Sequence, residues 1–393
     1  MRRVARATSG AVLGLGCVFG VTARAANWSV APNLDWSVDT DSDRSLVPQG
    51  SASQSTSVST NLDISVVTET TRLTASPSLR WQLFDTKAYG NIFERDLSAA
   101  DLWTGERITV NASAKDGDNS TLSTEATQTG ILSSNLHQRL DLASVSATYN
   151  ETERYALVLS TDYSDVSYYG TAQSDQLNLL SGYRYFTGSI GEKAQLGETS
   201  SLTVTAYRNK DISRLPGNDT LQTGAQAEYH RSFSERLNFD ASLGGARIQS
   251  LKSTQTSTTG SLNVSRSYEL GSIAIAYSRS LTPYGSGTLV QRQQLSLSAT
   301  RNLRQQLTMT AAASRVQNGS LPGQSEDGGQ TPQVQTYINT HLGLDWAPGE
   351  TWRIGGELDW TRTRAEGLGQ EPVHDWHASV SLIWTPQPYS TSF

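Results

Sequence analysis

The stretch "GLDWAPGETWRIGGELDW" (residues 343–360) decides how this chain is read. Apolar and polar residues alternate up to Trp346, break at Ala347-Pro348-Gly349-Glu350, and alternate again from Trp352 to Trp360. Period-two alternation on both sides of a four-residue polar break is a β-hairpin with one apolar face. Tryptophan stands on both sides of the turn, and a third lies eight residues further on.

The same pattern fills the chain. In "NWSVAPNLDWSV", Trp28, Val30, Pro32, Leu34, Trp36 and Val38 share one face. Equivalent runs include Leu73, Ala75, Leu79, Trp81, Leu83; Tyr155, Leu157, Leu159, Thr161, Tyr163; and Ala378, Val380, Leu382, Trp384. Helical spacing fits none of them, and the Ser, Thr, Asn and Gly content disfavours helix. Short polar connections ("TETT" 68–71, "NETE" 150–153, "LGET" 196–199, "SFSE" 232–235, "NLRQ" 302–305, "APGE" 347–350) alternate with longer Gly/Ser/Asp-rich ones (40–54, 116–135, 318–333). This asymmetry predicts an antiparallel up-and-down β-barrel that crosses a membrane, with short turns at one rim and long loops at the other. The segmentation gives eighteen strands, near 27–39, 55–67, 72–85, 91–101, 107–117, 138–149, 154–166, 182–195, 201–213, 221–231, 236–249, 258–267, 272–281, 290–301, 306–316, 334–346, 351–363 and 375–386. Segment 91–101 is the weakest and 182–195 is ambiguous in facing, so the range is fourteen to eighteen. A soluble sandwich or secreted solenoid is the alternative, but neither gives tryptophan at both strand ends a special value. Pro32 and Pro77 fall inside strands, where proline removes a ladder donor, and mark bulges or irregular N-terminal strands.

Residues 1–25 read differently. Arg2, Arg3 and Arg6 precede the apolar run "SGAVLGLGCVFGVTA", and Ala23-Arg24-Ala25 is an A-x-A cleavage site. The expected organisation is a signal peptide (1–25) and an outer-membrane barrel (26–393). The only cysteine, Cys17, lies in the leader, so the barrel has no disulfides. Of 31 Lys and Arg, four belong to the leader, which leaves 27 against 37 acidic residues and a net charge of −10. That balance argues against a nucleic-acid partner. Beyond the leader no run approaches the roughly 18 apolar residues of a membrane helix.

Aromatic girdles border the apolar band of such barrels. Trp28 and Trp36 are eight residues apart, as are Trp352 and Trp360, Trp376 and Trp384, and Tyr155 and Tyr163. Eight residues climb on the order of 20 Å at the usual rise and tilt. The expected short-turn girdle is Trp28, Tyr149, Tyr155, Trp346, Trp352 and Trp384. The expected outer girdle is Trp36, Tyr163, Trp360 and Trp376. On the polar phase, the lumen candidates are Asp35, Asp63, Arg80, Lys115, Asp141, Asp162, Glu228, His230, Asp240, Asp345, Arg353, Glu357 and His377. These are the side chains for cross-strand pairing or for steering a hydrophilic solute. Arg353, Glu357 and Asp345 form the set of most interest, and the loop at 116–137 is the candidate to fold inward as a constriction.

Residues arranged for reaction chemistry are few. Asp116, Asp118 and Ser120 have EF-hand-like spacing, but Thr121 and Thr127 stand where that loop needs Gly and Glu. His374 and His377 form an H-x-x-H pair with no third ligand at a defined spacing. There is no nucleophile elbow, nucleotide loop or H-E-x-x-H. The expectation is no cofactor, no metal and no enzymatic activity.

The leader, the turns containing Glu-Arg or Glu-Thr, and the terminal Phe393 make the chain resemble porin-like outer-membrane β-barrels. More narrowly, "DGDNSTLSTEATQTG" (116–130) and "ATYNETERYALVLSTDYSDVSYY" (147–169) resemble barrels associated with exopolysaccharide (PEP-CTERM-type) export systems. The resemblance covers the middle third closely and the rest by general pattern. It implies an outer-membrane location and a channel for a hydrophilic solute or polymer, with outer-membrane lipid and a polysaccharide-export complex as partners. It also implies recognition of Phe393 by the barrel-assembly machinery. A plugged, partner-binding barrel is the second reading.

Overall fold

In the computed structural model, residues 26–44, 46, 52–86, 90–125, 136–170, 180–251, 253–285, 287–321, 335–365 and 372–392 are described. The expected leader, Phe393 and residues 126–135 of the 116–137 loop lie outside them. The strands are β1 (Asn27–Asp41), β2 (Ser53–Val67), β3 (Thr71–Phe84), β4 (Ile92–Thr104), β5 (Ile108–Ser120), β6 (Leu136–Asn150), β7 (Tyr155–Gly170), β8 (Tyr183–Gly197) and β9 (Ser200–Ser213). They continue as β10 (Thr220–Ser234), β11 (Leu237–Ser250), β12 (Thr254–Tyr268), β13 (Gly271–Tyr284), β14 (Thr288–Arg304), β15 (Leu307–Ser320), β16 (Gln335–Trp346), β17 (Trp352–Ala365), β18 (Val373–Trp384) and β19 (Tyr389–Ser392). A one-turn helix, α1 (Thr121–Thr124), follows β5.

Each strand from β1 to β17 pairs antiparallel with the next, and β1 pairs with both β18 and β19, so the sheet closes on itself. β18 and β19 are two pieces of one wall strand, which makes an 18-stranded barrel. Closure matters physically because it leaves no unpaired strand edge, the condition for a sheet to sit in hydrocarbon.

The prolines mark the ladder's irregularities. At the seam, Leu34 pairs with Trp384 and Val30 with Tyr389, so three residues of β1 face the four of 385–388, which include Pro386 and Pro388. Pro32 lies in that gap on β1, where its missing N–H costs no seam bond, while its pairing with β2 continues through Leu62. At Pro77 two residue pairs of the ladder are skipped: pairing of β2 with β3 resumes in the same register at Ile64–Ala75 after Asn61–Ser78. There Ser76 donates its hydroxyl to Asp63 at 2.6 Å.

Registers propagate without a change of facing around the wall. All nine tryptophans share the outer face: Trp28, Trp36, Trp81, Trp103, Trp346, Trp352, Trp360, Trp376 and Trp384. Tyr149, Tyr155 and Tyr163 join them. Trp352 lies 6.5 Å from Trp384 and Trp360 lies 6.2 Å from Trp376, ring to ring, so each end of the β17–β18 pair carries an aromatic couple. Between them the outer face is Leu, Val, Ile and Ala, exposed in a continuous band, as with Leu342, Leu344, Leu358 and Val380. The opposite face is Ser, Thr, Asn, Gln and charge. An apolar exterior over a polar interior inverts a soluble protein and is the arrangement by which strands cross a bilayer.

Candidate functional site

The interior wall is the site. Cross-strand serine pairs line it at Ser37–Ser57, Ser113–Ser144, Ser160–Ser189 and Ser242–Ser261, each 2.7 Å between hydroxyls, with Ser29–Ser65 at 3.0 Å. They arise because a lumen-facing Ser on one strand meets one on its neighbour at zero offset, where hydroxyls are within bonding reach.

Of the sequence candidates, Asp35, Asp63, Arg80, Lys115, Asp162, Glu228, His230, Asp240, Asp345, Arg353, Glu357 and His377 lie on the lumen face by register. Asp141 does not. It stands opposite Asp116 and Asp165 on the outer face, 3.6 Å from Arg139, which also reaches Asp116 at 3.2 Å. The sequence misleads here because the apolar phase of "LHQRLDLASVSATYN" switches from Leu140 and Leu142 to Val145 without a bulge. Register with the tyrosine rows then puts the leucines inside and the charges outside.

Several candidates are brought together. His377 Nδ1 lies 3.1 Å from Asp359 Oδ2, and His341 Nδ1 lies 2.7 Å from Asp359 Oδ1. His377 Nε2 faces Asp39 Oδ1 at 3.6 Å. Asp39 accepts from Ser37 and Ser55, Ser55 accepts from Gln82, and Gln82 accepts from Arg44, which pairs with Asp41 at 2.8 Å. One polar chain therefore runs from β16 across the seam to β3. A second set joins His230 to Asp240 at 2.6 Å, with Asn263 donating to the same carboxylate. Arg353, Glu357 and Asp345 share the wall, but among the described residues Arg353 makes no ion pair with either acid. The two histidines of the H-x-x-H pair face opposite ways: His374 stacks on Trp360 outside, and His377 points inside.

Asp39, Asp41, Arg44, Glu94, His341 and Asp359 were not singled out from sequence. Asp359 and His341 were available to the same alternation argument, on the polar phase of β17 and β16. Arg44 was not, because it sits beyond a strand end.

The obstruction is α1. Ser120 caps it, its hydroxyl accepting from Leu122 N–H. Glu94 on β4 holds the turn from the wall, accepting from Ser120 N–H at 3.0 Å and from the Ser123 hydroxyl at 2.6 Å, with Arg80 3.7 Å behind it. Leu122 packs on Ile92 with Leu46 and Phe84, a small apolar core inside a polar lumen. Glu125, fully buried, accepts from Tyr168 and Gln138, both at 2.7 Å. Of the expected constriction, residues 121–125 turn inward, whereas 116–120 continue β5 and 136–137 begin β6. One cavity of about 370 Å³ lies between α1 and the β1–β4 wall, lined by Asn33, Arg80, Glu94 and Asp96. Another of about 560 Å³ separates Leu122 and Ser123 from Asn339, His341, Asp359 and His377.

Ligand atoms of His341, Glu357 and Asp359 approach within 4.8 Å of one another, the one such triad among the described residues. Both Asp359 oxygens are already engaged by the histidines, so the triad is explained as a hydrogen-bonded network.

No protein-family model matches the chain, and no curated protein does. Among solved structures it is similar to the FrpB iron transporter of Neisseria meningitidis in its apoprotein form, with 8% identity over 92% of this chain and 81% of that one and a TM-score of 0.51. OccAB2 of Acinetobacter baumannii gives 10% identity, 92% and 98% coverage and a TM-score of 0.49. OccK5 (OpdH) of Pseudomonas aeruginosa gives 11%, 92%, 98% and 0.47. At these identities the likeness concerns the fold, a large closed barrel.

Proposed function

We propose that this chain is an outer-membrane channel for a hydrophilic, hydroxyl-rich solute, narrowed by α1 and steered by the charges around it. The observation that carries the reading is the meeting of Leu122 and Ser123 with the His341–Asp359–His377 wall across a 560 Å³ cavity. A strand count of eighteen leaves an aqueous interior, and only there does an inward turn set the width. The serine rungs offer donors and acceptors that exchange with solute hydroxyls, and no covalent step is needed. Charges on opposite sides of the cavity give ion preference by the local field. Transport agrees with the iron transporter whose barrel the chain shares, although fold alone does not choose a substrate. Within this reading we place the resemblance to exopolysaccharide-export barrels: a sugar polymer is a solute of this chemistry.

The second reading, a plugged barrel that binds a partner, draws on Leu122 and Glu125, whose burial seats α1 firmly. Single-channel conductance of the refolded protein, with neutral polymers of graded size, separates the two. Stable openings blocked only by the larger polymers are expected. Silence from folded, inserted protein would favour the plugged barrel.

A further inference from the structure

The outer face of β9–β11 departs from the apolar band. One lateral row runs Gly188, Arg208, Thr223, Arg247 and Thr256 across β8 to β12. Lys210 stands in the adjoining row on the loop side. Arg208, Lys210 and Arg247 are exposed, and among the described residues none of them makes an ion pair. The neighbouring sector differs: Arg184 and Arg214 are held by Asp165, and Arg139 by Asp116 and Asp141. Positive charge is therefore left over only beyond β8 in this part of the wall.

The position is specific in height. Arg208 lies six residues above Leu202 on β9, and Arg247 eight above Phe239 on β11. That puts them roughly 15–20 Å above the short-turn girdle, at the upper border of the apolar band, where headgroups lie. Neighbouring strands are about 4.8 Å apart, so the two arginines rise about 10 Å apart with the Thr223 hydroxyl between them. Both guanidiniums can lean over Thr223 onto one anion, and arginine binds phosphate oxygens through paired donors.

Directly below the row the surface turns small. Ala206, Ala225 and Gly245 align and are exposed. Ile190 borders them on one side, with Val204 and Leu243 underneath, the last 73% exposed. A Cβ built on Gly188 meets nothing within 4 Å. A shallow apolar trough under an uncompensated cationic row matches a molecule with a phosphate above and acyl chains below.

We propose that β9–β11 form a docking site for a net-anionic phosphorylated lipid of the outer leaflet, one whose phosphate charge no choline or amine of its own neutralises, with Arg208, Lys210 and Arg247 on the phosphate and Ala206, Ala225 and Gly245 under its chains. This rests on the barrel spanning a bilayer. The test is native mass spectrometry of the refolded full chain in detergent, titrated with lipid A, a diphosphorylated glycolipid, or with phosphatidylcholine. Each basic side chain near an anionic surface is worth a factor of about five. The R208Q/R247Q variant is therefore expected to bind lipid A on the order of 25-fold more weakly, and phosphatidylcholine unchanged. R231Q, which removes an outward arginine near the short turns, should bind lipid A normally. Equal binding by the double variant, or an equal loss in R231Q, overturns the site. Displacement by inorganic phosphate at matched concentration would also overturn it, since an ion site needs no trough. Flotation of both proteins with phosphatidylcholine vesicles is run alongside; failure of flotation would strike the membrane reading itself.

Discussion

Tyr168 on β7 donates its hydroxyl to Glu125 at 2.7 Å, joining the barrel wall to the segment that folds into its lumen. Gln138 on β6 donates to the same carboxylate oxygen, so two wall strands hold one buried acid. Removing the phenol in Tyr168→Phe deletes one of two side-chain hydrogen bonds to a buried acid, a loss of about 1–3 kcal/mol. The wall ladder is untouched, so the barrel should melt normally while the segment loosens. The expected result is larger or noisier single-channel conductance. An unchanged trace would show that Glu125 does not control the opening.

Leu122 anchors the same segment from its apolar side, against Ile92, Leu46 and Phe84. Leu122→Ala leaves a void that a single helical turn cannot refill, at a cost of about 2–4 kcal/mol local to α1. Hydrogen exchange at residues 120–125 should accelerate strongly, with the strand amides unaffected. Retained protection would mean that Glu94 and Glu125 hold the turn unaided.

Asp359 is the shared acceptor of His341 and His377 and lines the larger cavity. Asp359→Asn keeps the shape but removes the negative charge. In a salt gradient the reversal potential should move toward anions, and Arg80→Gln should move it the opposite way. A D359N reversal potential equal to that of the parent would place the selecting charges elsewhere.

At the outer border, Trp360 and Trp376 are paired across β17 and β18 with 6.2 Å between ring centroids. A double-mutant cycle of W360A and W376A in vesicles should return a coupling of about 0.5–1.5 kcal/mol. Trp36 and Trp360, which share no pairing, should be additive within about 0.5 kcal/mol. Coupling of the second pair as large as the first would indicate a general bilayer effect.

The strand plan was legible because a barrel wall has only two faces, each in a uniform solvent. Alternation alone then tells apolar from polar, as Trp352 to Trp360 show, and every girdle residue read that way stands on the outer face. The same logic fails where the solvent changes. Asp141 lies above the apolar band, where the outside is no longer hydrocarbon, so a carboxylate is tolerated there and pairs with Arg139. Leu140 and Leu142 then occupy the lumen phase, and local pattern cannot reveal the switch.

By itself, the sequence determined the all-β character, the hairpin order, a strand number between fourteen and eighteen and the ring of tryptophans, because these depend on period-two patterning and turn chemistry between neighbours in the chain; closure of the wall fixed the number at eighteen. Only the tertiary structure decided what the interior holds. The chain from His341 through Asp359, His377 and Asp39 to Arg44 exists because closure brings the last strands beside the first. Likewise, Glu125 meets Tyr168 only because a segment turns into the lumen instead of away from it. Such contacts join residues tens to hundreds of positions apart, and no local periodicity encodes which of them will meet.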